Sequence, residues 1–150
     1  MAFVRDNMTV ADILKTKGGE IFSVDGNDSI LHALKIMKEK HIGAVLVMAG
    51  AGKIAGVLSE RDIVRALPDQ GGDLLKKSVS DLMTKDVVTC KPSHSIQQVM
   101  EVMTKGRFRH LPVVEGKKLV GLISIGDAVK ERIAETEHEA EALRAYITTG

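Results

Sequence analysis

Gly56-Val57-Leu58-Ser59-Glu60-Arg61-Asp62 returns later in the chain as Gly121-Leu122-Ile123-Ser124-Ile125-Gly126-Asp127. Each copy is a glycine, two strand-type apolar residues, a serine, two variable residues and an aspartate. Upstream, Val10-Ala11-Asp12-Ile13-Leu14 matches Val79-Ser80-Asp81-Leu82-Met83, and Ser29-Ile30 matches Ser95-Ile96. The offsets are 65, 69 and 66 residues, a drift small enough to mean two copies of one unit that differ in loop length.

Each copy reads as strand–helix–strand–strand–helix. Ile21-Phe22-Ser23-Val24 and Val87-Val88-Thr89-Cys90 are short extended runs. Ser29 and Ser95 then stand as N-caps, since a serine oxygen accepts an otherwise orphan helix N–H. Ile30, Ala33, Leu34 and Met37 follow at i, i+3, i+4 and i+7, as do Ile96, Val99, Met100 and Met103. That spacing makes one apolar helix face. Strands are expected at Ala44–Met48 and Leu111–Val114, and second strands at Ile54–Leu58 and Leu119–Ile123. The first copy's final helix is expected to stop at Leu67-Pro68, because proline cannot continue it. This divides the chain into repeat 1 (8–68), a linker (69–77), repeat 2 (78–134) and a helical extension (135–150). The fold class is α/β of the α+β type, two β-α-β-β-α repeats.

Composition excludes several functions. Apolar residues are 44% and charged ones 27% of 150, with a net charge of +1, so no overall field draws the molecule to nucleic acid or a membrane. Aromatics are 3%, with no Trp, which leaves few platforms for stacking bases. The longest apolar run, Ile42 to Ala51, falls short of the ~20 residues of a membrane helix. The start, Met1-Ala2-Phe3-Val4-Arg5-Asp6, has no signal-like apolar stretch. A lone Cys90 forms no internal disulfide, which suits a reducing compartment. A cytoplasmic location is the expectation. Gly50-Ala51-Gly52-Lys53-Ile54-Ala55 mimics a dinucleotide fingerprint, but a β-type run follows it where a helix is needed. It reads as a hairpin turn.

The doubled unit, each copy closing with Gly, two apolar residues, Ser, x, x, Asp, resembles a CBS-domain pair over about residues 8 to 134. The resemblance implies two repeats packed through their sheets about a pseudo-twofold axis, with two clefts between them. It implies a non-catalytic regulatory module for adenosine-containing ligands: AMP, ADP, ATP, NAD or S-adenosylmethionine. It brings no catalytic cofactor. No room remains for an effector domain, so output is expected through an effector partner or through oligomer state, a homodimer being usual for such pairs.

The residues support this independently. A carboxylate has two acceptor oxygens, matching the vicinal hydroxyls of a ribose. Serine three residues earlier can contact ribose or phosphate, and the following helix offers free N–H groups. Ser59/Asp62 and Ser124/Asp127 are therefore the candidate ligand residues. The alternative is plain helix capping. By the resemblance, the segment that leads into the strands Ala44–Met48 and Leu111–Val114 holds base and phosphate: Gly43 and Ala44 in copy one, and Arg107, Phe108, Arg109, His110 and Pro112 in copy two. Arg109 suits a phosphate by its forked geometry, with His110 as a second donor. Arg61 stands where copy two has Gly126 and is expected to cross to the opposite site's phosphates, so the two clefts should differ. Thr84 and the backbone near Val87 match the family's adenine-contacting segment. The counterpart in copy one, Thr16 to Ile21, is three residues longer, and no adenine contact is transferred to it.

Two other readings compete. A nucleotide-converting enzyme finds no paired metal spacing among His32, His41, His94, His110 and His138, and Cys90 reads as an inert small apolar residue. A nucleic-acid module using Arg107 and Arg109 meets the near-neutral net charge. Finally, Val129, Ile133, Thr136, Ala140, Leu143 and Ile147 form a heptad-like stripe suited to bracing a dimer.

Overall fold

The expected helix caps form, and they position everything that follows. The computed structural model describes residues 8–149, divided into two compact units: residues 20–88, the central unit, and residues 8–19 with 89–149, the flanking unit. In chain order the elements are α1 (Val10–Lys17), β1 (Ser23–Asp25), α2 (Ile30–Lys40), β2 (Ala44–Ala49), β3 (Lys53–Ser59), α3 (Glu60–Gln70), α4 (Ile96–Gly106), β4 (His110–Glu115), β5 (Lys118–Ser124) and α5 (Ile125–Thr149). The fold is a mixed α+β one.

In the central unit, β1 runs parallel to β2, and β2 pairs antiparallel with β3. Ser29 Oγ accepts the His32 N–H at 3.1 Å and starts α2. Ile30, Ala33 and Met37 are then buried on one helix face, with Leu34 half-buried beside them. They pack with Val45, Val47, Leu58 and Ile63 in one apolar core. In the flanking unit, β4 and β5 form a hairpin. Ser95 caps α4 as Ser29 caps α2, and Ile96, Val99 and Met103 are buried. Both hairpins carry a bulge of one residue, Ala55 in one and Val120 in the other, just before the motif glycine. The Gly50–Gly52 segment is a 3₁₀ turn joining β2 to β3, as the hairpin reading expects.

The compact units are not the sequence repeats. The segment that opens each repeat docks on the body of the other. In the central unit, the Ile30 N–H donates to Lys77 O at 2.9 Å, Val79 to Asp28 O at 2.8 Å and Ser80 to Gly26 O at 3.0 Å. In the flanking unit the same ladder is Ile96 to Met8 O (3.1 Å), Val10 to His94 O (2.9 Å) and Ala11 to Pro92 O (3.0 Å). Burial drives the exchange: Val10 and Ile13 are buried in the flanking unit, Leu74 and Val79 in the central one. Apolar side chains of this size each stabilise by roughly 1.5–3 kcal/mol when removed from water.

Two local expectations differ from the structure. Helix α3 runs through Pro68 to Gln70. Proline removes one hydrogen bond, to the carbonyl of Val64, but so near the end only two more residues follow. Gly71, at φ 63°, is the terminator, and its N–H closes on Leu67 O. Within the stretch read as the linker, Gly71–Lys76 forms a 3₁₀ turn with Leu74 buried. The run Val87–Cys90 makes no full strand. Thr84 is held on β3, so only Cys90 reaches β4, by one parallel bridge to Val113.

Candidate functional site

Each hairpin ends at a serine that caps the next helix, and the aspartate three residues on returns the bond. At the central corner, the Ser59 N–H donates to Asp62 Oδ2 at 3.0 Å, and so does the Ser59 hydroxyl at 3.0 Å. The Asp62 N–H donates back to Ser59 Oγ at 3.3 Å. At the flanking corner, the Ser124 N–H donates to Asp127 Oδ2 at 2.8 Å and the Asp127 N–H to Ser124 Oγ at 3.1 Å. Capping is therefore real at both corners. It also orients each carboxylate through Oδ2, on which the hydrogen bonds to Asp62 and Asp127 from the described residues converge, and the Ser124 hydroxyl acts on the Asp127 carboxyl as well.

The segments singled out at the start of β2 and β4 lie at these corners. Ala44 pairs with Ser59 across the hairpin, and Gly43 O accepts the Glu60 N–H at 2.9 Å. In the flanking unit His110 pairs with Ser124, and Arg109 O accepts the Ile125 N–H at 2.8 Å. The Arg109 side chain is exposed, and His110 is half-buried. Arg107 caps α4 in the left-handed conformation, φ 58°. Phe108 folds back so closely that a Cβ at Gly106 would overlap its ring. Pro112 is buried in β4, where its carbonyl accepts the Cys90 N–H at 2.9 Å; it is part of the scaffold of the corner. Arg61 is exposed in the first turn of α3.

Thr84 belongs with the central corner. Its N–H donates to Val57 O at 2.9 Å and its O accepts the Val57 N–H at 3.0 Å, two residues before Ser59. Val87 is half-buried three residues further on. This close approach explains the motif glycine. A Cβ on Gly56 would lie 2.7 Å from Thr84 O and 2.8 Å from Met83 Sδ. A Cβ on Gly121 would lie 2.6 Å from Leu14 Cδ2. In both units the glycine is the seat for the exchanged segment.

One residue of the flanking corner escapes the sequence reading. Lys17 Nζ donates to Asp127 Oδ2 at 2.7 Å and to Leu122 O at 2.8 Å. Burial works to raise the Asp127 carboxyl. The Lys17 hydrogen bond, the Ser124 N–H and the Lys17 charge outweigh it, holding that carboxyl below its ordinary value. Lys17 lies outside both motif copies, in the segment whose extra length blocked comparison with Thr84. Its only signal is its place one helical turn after Leu14.

Cys90 is buried, and burial pushes its thiol up to about 12, so thiolate chemistry is suppressed at neutral pH. A pocket of about 730 Å³ beside it is lined by Thr89, Lys91, Pro92, His94 and Glu115 among others, and by none of the corner residues. Among the described residues, no His, Cys, Asp or Glu side chains cluster in threes to hold a metal ion, and no helix is long and apolar enough to cross a membrane.

Comparison with known proteins agrees with the doubled corner. The CBS domain family model matches residues 10–69 and again 79–134. The mitochondrial CBS domain-containing protein CBSX3 of Arabidopsis thaliana is 33% identical over 97% of this chain and 74% of its own length. The solved CBS-domain containing protein ATU1752 from Agrobacterium tumefaciens is 45% identical, with a TM-score of 0.79 over 83% of this chain and 99% of that one. The CBS domain pair of protein MJ0100, solved with 5′-methylthioadenosine and S-adenosyl-L-methionine, is 25% identical at a TM-score of 0.75, covering 87% of this chain and 99% of that one.

Proposed function

Because this chain belongs to the CBS domain family, we propose that it is a non-catalytic sensor whose two Ser-x-x-Asp corners bind the ribose of adenosine-containing ligands. AMP, ADP, ATP and NAD are the candidates from the resemblance, and the two ligands of MJ0100 share the same adenosine. The observation that carries the reading is that, among the described residues, the hydrogen bonds to Asp62 and Asp127 converge on Oδ2 and leave Oδ1 for a ligand. A carboxylate oriented by its own helix cap is a preorganised acceptor for vicinal hydroxyls, one taken at Oδ1 and the other at Oδ2 in place of that oxygen's second donor. Thr84 and Val87 serve the base at the central corner, with Gly43 and Ala44 leaving room there. Arg109, aided by Arg107, Phe108 and His110, serves the phosphate at the flanking one, and Arg61 supplies a further cation.

The signal then leaves through assembly or an effector protein. Helix α5 leaves Val129, Ile133, Leu143, Tyr146 and Ile147 exposed, an apolar stripe that a second copy of the chain covers in a homodimer.

Calorimetric titration with AMP, ATP, NAD and S-adenosylmethionine tests the reading. Asp62→Ala and Asp127→Ala should each weaken one of two binding events by about ten- to a hundred-fold, the worth of a hydrogen bond to a charged acceptor. Affinities indifferent to both substitutions overturn it.

A further inference from the structure

The two corners share one cap but differ in what the exchanged segment brings to it. In the central unit that segment lies along β3 and pairs with Val57 through the Thr84 backbone. In the flanking unit the matching segment stays helical as α1. Leu14 seats on Gly121, and Lys17, three residues on and so on the same helix face, reaches past β5. Its ammonium takes Leu122 O, the flanking counterpart of the Val57 O that Thr84 N–H takes in the central unit. It then closes on Asp127 Oδ2, which already accepts the Ser124 N–H. At the position that matches Lys17 in the lead segment, the central unit has Asp86, an exposed acid.

At Asp62 the second donor to Oδ2 is only the Ser59 hydroxyl, which releases by rotating about one bond. At Asp127 the Ser124 hydroxyl also acts on the carboxyl, but the second donor that closes on Oδ2 is a full charge anchored at two points. A ribose that needs both oxygens of Asp127 must displace Lys17, and an ammonium stripped of its carboxylate needs another anion. A neutral adenosine supplies none. A nucleotide phosphate does, and a side chain with four flexible methylenes can swing to it.

From this geometry we propose that Lys17 is the specificity-determining residue of the flanking corner, making it selective for anionic over neutral adenosine ligands. This rests on the ribose reading of Asp127 above. The ammonium is an internal competitor for adenosine and a phosphate ligand for AMP.

The test uses the full-length chain carrying Asp62→Ala, so that binding reports the flanking corner, titrated with AMP and with adenosine before and after adding Lys17→Met. Methionine keeps an apolar stem of similar reach, and Lys17 is partly exposed, so folding is preserved; a thermal melt checks it. The AMP-to-adenosine affinity ratio should fall by about ten-fold or more, the worth of one charge-assisted hydrogen bond, with adenosine itself tightening. Lys17→Gln, which keeps a donor for Leu122 O without the charge, should behave like Lys17→Met. If both ligands bind and the ratio is unmoved, the proposal fails while the ribose reading stands. If neither AMP nor adenosine binds with Lys17 in place, both fail.

Discussion

Replacing Gly56 with alanine should do far more damage than replacing Gly121, although both open the same motif. A Cβ at Gly56 arrives 2.7 Å from Thr84 O and 2.8 Å from Met83 Sδ, whereas carbon contacts are comfortable at about 3.5–4.0 Å. Met83 can rotate, but Thr84 O is backbone. The peptide must lift, which breaks both Thr84–Val57 hydrogen bonds, each worth about 0.5–1.5 kcal/mol net. With the Met83 packing also disturbed, the loss should come to about 2–4 kcal/mol, within the range of overpacking penalties. At Gly121 the obstacle is Leu14 Cδ2 at 2.6 Å, the far end of a side chain that rotates away. Alanine also suits a strand better than glycine by roughly 0.5–1 kcal/mol, so the net loss there should be about 1 kcal/mol or less.

Urea denaturation of the two variants measures this directly, with the slope checked for constancy. A loss of 1 kcal/mol shifts the melting point by about 2–4 °C for a chain of this size, so Gly56→Ala should lose about 5–15 °C and Gly121→Ala less than about 4 °C. Gly56→Ala should also weaken ligand binding at the central corner, because Thr84 leaves its place beside Ser59. Equal losses at the two glycines would refute the reasoning, since only one of them faces a backbone atom.

Other outcomes follow from the same geometry. The Asp127 carboxyl is held below its ordinary 3.8, so its ionised form stabilises the fold above that pH and the contribution disappears as pH falls through the lower folded value. Asp127→Asn should therefore destabilise at neutral pH and converge with the parent in acid; a gap that stays constant through that fall, measured by denaturation at stepped pH, places the effect elsewhere. Arg109→Ala should weaken AMP much more than adenosine in competition binding, because only AMP offers an anion; equal losses put Arg109 on the base or the scaffold. Truncation after Glu135 keeps the carboxylate that accepts the Met8 N–H and pairs with Arg132, while removing Leu143, Tyr146 and Ile147. Light scattering over a dilution series should show a weaker dimer that still binds nucleotide, and an undiminished dimer would clear the tail of any role.

What the sequence revealed and what it concealed separate by range. The N-caps Ser29 and Ser95, the buried faces Ile30–Met37 and Ile96–Met103, and the hairpins are set by residues a few positions apart, and periodicity reads them directly. The Ser-x-x-Asp corners were legible for the same reason, since Ser59 and Asp62 are three residues apart on one helix start. Proline alone sets the end of α3 too early: near a C-terminus it removes one bond, and Gly71 is the stronger stop. The strand expected at Val87–Cys90 failed for a reason of longer range. Its β-type residues are right, but Thr84 is fastened to β3 and only Cys90 meets β4. The exchange of opening segments was hidden entirely. The match of Val10–Leu14 with Val79–Met83 says that the two segments do the same job, but not on which body each one does it.

That exchange changes where the asymmetry of the two corners originates. The sequence places it in the segment that leads into β2 and β4, Gly43-Ala44 against Arg109-His110, and in Arg61 against Gly126. The capping geometry is nearly the same in both units, so those differences act around a common centre. At the centre itself the difference comes from elsewhere in the chain, because the residue on the carboxylate is supplied by the docked segment. The central corner receives a backbone pairing from Thr84 and keeps a serine hydroxyl on Asp62. The flanking corner receives Lys17 on Asp127. The shared serine and aspartate of the two copies thus acquire different electrostatics through the segments docked on them, beyond what Arg61 and Gly126 contribute.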